Sequence, residues 1–120
     1  MEGRSFRDLI AWQRAMDLVY RVTRGWPSGR GVRPTGQVRR AAISVTANIA
    51  EGQGRSGPRE FLHHLSIAHG SLAEVESLLL VSHRQGYVDT PDLDRLFVVL
   101  DETRRLLRGL IRSLRPPTTS

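Results

Sequence analysis

The chain has 120 residues, no cysteine and a formal net charge of +6, and all 18 of its basic residues are arginine. This length predicts one domain with a single core, and the lack of cysteine excludes disulfides, thiolate metal sites and cysteine nucleophiles. Since no apolar run reaches the ~18–20 residues of a membrane span and no secretory signal opens the chain, we expect a cytoplasmic protein without a membrane partner, whose charge favours polyanions such as RNA or DNA.

The first predicted helix runs from about Phe6 to Arg24, because its apolar residues recur at three-to-four spacing. Ser5 and Asp8 are spaced as a capping box at its start. Trp12 and Tyr20 lie on the apolar stripe, so both are predicted to be core residues rather than surfaces for stacking bases.

Glycines and prolines between residues 25 and 34 predict a loop that no helix crosses. The second helix is expected from about Thr35 to Glu51, with Gly52 as its left-handed C-terminal cap. The third is expected from about Pro58 to Gln85 and starts on a proline suited to a first turn. Its two apolar rows indicate neighbours on two sides.

The fourth helix is expected to be capped by Thr90 and Pro91 and to end before Pro116. No strand pattern exceeds a few residues. The sequence therefore predicts an all-α protein, an antiparallel up-down-up-down four-helix bundle. It is a single domain over residues 1–120, ordered from about 5 to 115, with a flexible tail at 116–120.

Polar residues interrupt the small-residue packing face of the second helix. An unpaired buried amide or hydroxyl costs roughly 1–3 kcal/mol, so such groups are expected to be paired. Asn48 either fixes helix register, as asparagine does in coiled coils, or contacts a ligand or RNA. The predicted polar network sets the packing of helices two and three or a subunit interface, and comprises Ser44, Asn48, Glu51, Ser71 and Glu74.

Glu51 lies in the last predicted turn of the second helix, where the helix dipole disfavours a carboxylate. It is therefore expected to have a cationic partner. That partner is either Arg55 across the corner or Arg39 or Arg40 of a neighbouring chain. A catalytic carboxylate is the alternative interpretation.

Two segments are candidate anion sites, one of them with Arg55 and Arg59 nearby. The corner from Gly52 to Gly57 leads into a helix N-terminus, which is either an anion site or a simple turn. Beyond Glu102 the chain has arginines and no acidic residue, which exceeds what helix capping needs. The predicted nucleic-acid contacts are Arg39, Arg40, Arg55, Arg59, Arg104, Arg105, Arg108 and Arg112.

Catalytic and metal-binding patterns are incomplete. Glu60 and His63 form one Glu-x-x-His pair, whereas di-iron bundles use two such pairs. Ser44 and Ser71 lack a signature of an activated nucleophile. We therefore predict no metal, no cofactor and no enzymatic activity.

Several segments together resemble a known family. They are Phe6-Arg7-Asp8-Leu9, the run from Gln37 to Val45, Asn48-Ile49-Ala50-Glu51-Gly52, and Ala68-His69-Gly70-Ser71-Leu72. The chain resembles the bacterial four-helix-bundle proteins encoded in intervening sequences of 23S ribosomal RNA genes. That resemblance implies a homopentamer. It also relates the chain to accessory proteins of diversity-generating retroelements, which bind a reverse transcriptase and its RNA.

Three functions follow from these observations. The first is a non-enzymatic oligomeric bundle that binds RNA or DNA through arginines. The second is a protein-interaction scaffold, such as a reverse-transcriptase accessory protein, whose arginine content follows genome composition. The third is a small enzyme, which would need a pocket lined by Glu51, Glu60 or Glu74 with a raised pKa.

Overall fold

The computed structural model describes residues 5–24, 35–55 and 57–116, and these form four helices with no strand among them. The helices are α1 (Ile10–Arg24), α2 (Thr35–Gln53), α3 (Pro58–Arg84) and α4 (Thr90–Leu114). The all-α, four-helix prediction is confirmed. The predicted loop at 25–34 and most of the predicted tail lie outside the described residues.

The capping box is confirmed, but it starts a single turn of 3₁₀ helix, Phe6–Asp8, rather than α1. The Ser5 hydroxyl accepts from the Arg7 amide at 3.1 Å, and the Asp8 carboxylate accepts from the Ser5 amide at 3.3 Å. The turn ends at Leu9, whose extended backbone separates it from α1. The ring of Phe6 then meets Trp12 edge-to-face at 5.2 Å between centroids.

The prediction for Trp12 is only partly right, and that for Tyr20 is wrong. Trp12 is half-buried against the core, whereas Tyr20 is 63% exposed. The reason is the narrowness of the buried row of α1. Two residues along a helix turn by roughly 200°, so Tyr20 points away from the core when Leu18 points into it. The buried residues of α1 are Ala11, Ala15, Leu18 and Val22.

The core lies between helices that each contact two neighbours: α1 packs on α2 and α4, and α3 packs on the same two. This confirms that α3 meets neighbours on two sides. Helices α2 and α3 are antiparallel, because Ser44 meets Ser71 while Asn48, one turn later, meets His64. The largest fully buried side chains include Leu18, Ile49, Leu65, Leu72, Leu79, Leu100 and Leu107.

The prediction that Gly52 caps α2 is wrong, because α2 continues to Gln53 and Gly52 is buried inside it. A Cβ on Gly52 would lie 2.7 Å from the His64 Cβ and 3.0 Å from the Phe61 Cδ1. The glycine therefore lets α2 and α3 approach closely. The left-handed residue of this corner is instead Gly57, with φ of 96°, directly before Pro58 in the first turn of α3.

The start of α4 also differs from the prediction. Asp89, not Thr90, is the N-cap, and its side chain accepts from the Asp92 amide at 2.9 Å. Asp89 has the extended backbone that an N-cap needs. Thr90 is already helical, and its hydroxyl lies 3.1 Å from the His83 Nε2. Pro91 occupies the first turn, as predicted.

Helix α3 is long and apolar enough to cross a membrane by length and composition alone, and 33% of the relevant window is buried. One face of the helix supplies the buried core row of Leu65, Leu72 and Leu79. Further apolar side chains, among them Ile67 and Val81, are more than 40% exposed. The high apolar content of α3 thus combines a core row with an exposed apolar face.

Candidate functional site

Four polar side chains form a continuous chain of hydrogen bonds between α2 and α3. The Ser71 and Ser44 hydroxyl oxygens are 2.8 Å apart. The Asn48 amide nitrogen donates to the Ser44 carbonyl at 2.9 Å and lies 3.2 Å from the Ser44 hydroxyl. The Asn48 carbonyl oxygen lies 3.2 Å from the His64 Nδ1. We call Ser71, Ser44, Asn48 and His64 the polar chain.

The polar chain fixes the proton position on His64. The Asn48 amide nitrogen is committed to Ser44, so its carbonyl oxygen faces His64 and can only accept. The proton must therefore be on the His64 Nδ1. A satisfied network of this kind rigidifies the helix pair and specifies one register.

The structure brings together three of the five residues predicted as a network, Ser44, Asn48 and Ser71. It adds His64, which the sequence analysis did not include. The available signal was its spacing, because His64 and Ser71 are two helical turns apart on one face of α3. Glu74 is exposed and lies outside the polar chain.

Glu51 is exposed and pairs with Arg55 at 2.6 Å, which is one of the alternatives that the sequence predicts. The hydrogen bond from Arg55 holds the pKa of the Glu51 carboxyl below its usual range, and the charge of His64 acts in the same direction. A carboxyl with a lowered pKa stays ionised at neutral pH, which is opposite to the raised pKa that the enzyme interpretation requires.

Most of the predicted phosphate contacts are exposed. Arg39 and Arg40 lie on an exposed side of α2, and Arg59 lies in the first turn of α3. Arg105, Arg108 and Arg112 are exposed on the C-terminal half of α4.

Arg104 differs from the other arginines of α4. Its side chain is 20% exposed and pairs with Glu76 of α3 and with Asp101, the latter at 2.9 Å. The expectation that this run has no compensating acid is therefore wrong for Arg104. Its two carboxylate partners lie on the preceding turn of α4 and on α3, outside the segment beyond Glu102.

A groove of about 480 Å³ lies between α3 and the C-terminal end of α4. We call it the α3–α4 groove. The His69 Nε2 is shielded from water and has no hydrogen-bond partner among the described residues. Burial lowers the pKa of His69, and the charges of Arg108 and Arg104 lower it further. The groove is lined by Leu62, Ser66, His69, Arg108, Ile111, Arg112 and Arg115.

The described ranges 5–24, 35–55 and 57–116 hold no metal-binding geometry. Within them, no group of three or more histidine and acidic side chains is placed to hold an ion. Glu60 and His63 are both exposed in the first two turns of α3.

The family model described as 23S rRNA-intervening sequence protein matches residues 7–109. The chain belongs to this family. The resemblance drawn from its motifs is thereby confirmed. A search of curated proteins found no match for this intervening-sequence protein.

A solved structure of similar fold supports the architecture. It is a protein of unknown function from the S23 ribosomal protein family of Bacteroides thetaiotaomicron, with a TM-score of 0.79 and 20% identity. The alignment covers 86% of this intervening-sequence protein and 96% of the other chain. At this identity the similarity establishes the shared fold.

The family match covers the polar chain but only part of the α3–α4 groove. Because it ends at residue 109, it excludes Ile111, Arg112 and Arg115. Most of the α4 residues that line this groove therefore lie outside the part of the chain that the family model matches.

Proposed function

We propose that this intervening-sequence protein is a non-enzymatic, oligomeric bundle that binds RNA or DNA through exposed arginines. The observation that supports it most is the C-terminal half of α4, where Arg105, Arg108 and Arg112 are exposed. None of the ion pairs among the described residues involves them. Arginine binds phosphate in bidentate fashion, so free guanidinium groups suit a polyanion.

The other predicted contacts take different parts in this proposal. Arg39, Arg40 and Arg59 extend the cationic surface. Arg55 must leave Glu51 to reach a phosphate, and Arg104 is held by two carboxylates. We therefore assign Arg104 mainly to α3–α4 packing. The family description, which refers to 23S rRNA intervening sequences, makes ribosomal RNA the first ligand to test.

We expect filter binding to 23S rRNA fragments at about 50 mM salt, with log affinity falling against log salt by roughly 0.7–0.9 per neutralised phosphate. Replacing Arg105 and Arg112 by glutamine should weaken binding and reduce the slope by roughly 0.7–0.9 for each phosphate that is no longer neutralised. Arg95→Gln is the matched control, because Arg95 is exposed at the opposite end of α4 and pairs with Asp92. No binding at low salt would contradict the proposal.

The oligomeric part of the proposal is supported by the exposed apolar face of α2 and α3. Ile43 of α2 and Ile67 and Val81 of α3 are 41–46% exposed in the single chain. Exposed apolar patches mark interaction surfaces, and Ile67 and Val81 lie on one face of α3. Burial of this face between copies would form the oligomer, for which the family resemblance implies five subunits.

Native mass spectrometry should give a pentamer mass, and Ile67→Glu should shift the population to monomer, because the carboxylate would be buried unpaired. Val98→Glu is the control, since Val98 is 66% exposed on α4. Spectra that show only monomer at micromolar concentration would exclude the oligomer. The same face supports a second candidate function, a scaffold that binds a protein such as a reverse transcriptase. In that case native mass spectrometry after nuclease treatment should show a complex that contains both proteins.

A further inference from the structure

We propose that the α3–α4 groove binds the phosphate monoester of a nucleotide, with the nucleoside against its apolar wall. The inference deepens the proposed function and rests on it, because Arg108 and Arg112 belong to the same cationic surface. It adds a compact site for one terminal phosphate. Arg115, His69 and the apolar wall complete that site, and contacts along a nucleic-acid backbone do not require them.

The charge of the groove favours a monoester. Arg108, Arg112 and Arg115 line it together, and none of its described lining residues is acidic. A phosphate monoester carries about −1.5 to −2 charges at neutral pH, because its second pKa is about 6. A backbone diester carries a single charge. Three guanidinium groups around one small volume therefore match the terminal phosphate better.

His69 supplies a hydrogen-bonding group that nothing within the described protein satisfies. Its Nε2 is shielded from water and unpartnered. A buried polar nitrogen without a partner is costly, so its persistence suggests a ligand atom. The neutral ring, favoured by burial and by Arg108 and Arg104, can donate one N–H to a phosphate oxygen once a change of side-chain rotamer exposes Nε2 to the groove. Ser66, on the preceding turn of α3, offers a hydroxyl to the same groove.

The size and the apolar part of the groove fit a single nucleotide. Its volume of about 480 Å³ falls within the ~300–1,000 Å³ typical of small-molecule sites. Leu62 of α3 and Ile111 of α4 provide apolar surface for a base or ribose. Two sources offer this chemistry, a free mononucleotide and the phosphorylated end of a nucleic-acid strand.

The first experiment titrates the full-length protein with AMP, adenosine and inorganic phosphate, followed by calorimetry and by the NMR signals of the His69 ring. We expect AMP to bind saturably and to shift these signals, phosphate to bind more weakly, and adenosine not to bind. Arg112→Gln should weaken AMP binding at least about tenfold, through the loss of a charge-assisted bidentate contact. Arg95→Gln, outside the groove, should leave it unchanged.

The second experiment compares one RNA oligonucleotide with a 5′-phosphate and with a 5′-hydroxyl. Preference for the phosphorylated form identifies a strand end as the source, and AMP binding without that preference identifies a free nucleotide. The groove inference is overturned if AMP does not bind and the two ends bind equally, or if Arg112→Gln leaves AMP binding intact. If the groove inference fails but the protein still binds RNA, the proposal that exposed arginines bind RNA or DNA stands. If AMP binds but RNA does not, the proposal of RNA or DNA binding is overturned and the groove inference stands.

Discussion

Gly52→Ala is expected to lower the free energy of unfolding by about 1–2 kcal/mol. Its Cβ would lie 2.7 Å from the His64 Cβ and 3.3 Å from the Phe61 carbonyl oxygen, so neither neighbour can turn aside as the tip of a flexible chain would. Overpacking of this kind costs roughly 1–3 kcal/mol, occasionally more. The helix propensity of alanine recovers about 0.5–1 kcal/mol, and the remainder is the expected loss, measured by urea denaturation.

Gly54→Ala provides the matched control two residues along the chain. A Cβ there would be 3.7 Å from the nearest atoms, which is ordinary contact, and Gly54 does not have a positive φ. We expect a change within about 0.5 kcal/mol, as for most substitutions away from tight packing. Equal midpoints for the two variants would show that α2 and α3 do not approach closely at Gly52.

Gly52 also shows which features of the fold a sequence can predict. Its position after a predicted helical stripe fits a C-terminal cap, and the same glycine fits a close helix crossing equally well. The two interpretations differ only in what lies opposite, which here is His64 and Phe61 of another helix. The presence of each helix is predictable, because it follows from the local periodicity of the apolar residues. The choice between these roles depends on a non-local contact and is not predictable in this way.

The polar and charged residues follow the same rule. Ser44 and Asn48 were identified from their own helix, because polar residues interrupted an apolar stripe. The role of His64 is not predictable from α3 alone, because its partner, Asn48, lies on α2. Arg104 was assigned to a free cationic run because its partner Glu76 is distant in sequence. Pairing across helices requires their register, which periodicity does not give.

Asn48→Ala is expected to lower the free energy of unfolding by roughly 1–3 kcal/mol in an equilibrium urea titration. The substitution removes the donor to the Ser44 carbonyl and the acceptor for His64. Leaving the buried His64 ring without its partner costs about 1–3 kcal/mol, whereas the half-buried Ser44 carbonyl keeps its backbone bond within α2. Gln37→Ala, at an exposed site on α2, is the control and should change stability by no more than about 0.5 kcal/mol.

Asn48→Asp separates the two hydrogen bonds, because a carboxylate still accepts from His64 but cannot donate to Ser44. The NMR signals of the His64 ring should still show a proton on Nδ1, because the carboxylate, like the amide oxygen, can only accept. A double-mutant cycle of Asn48→Ala and His64→Ala then tests the polar chain as a unit. We expect the combined loss to fall short of the sum by about 0.5–1.5 kcal/mol, because each single variant already breaks the shared bond. Additive losses would mean that Asn48 and His64 are not coupled, and the register of α2 against α3 would then come from apolar packing.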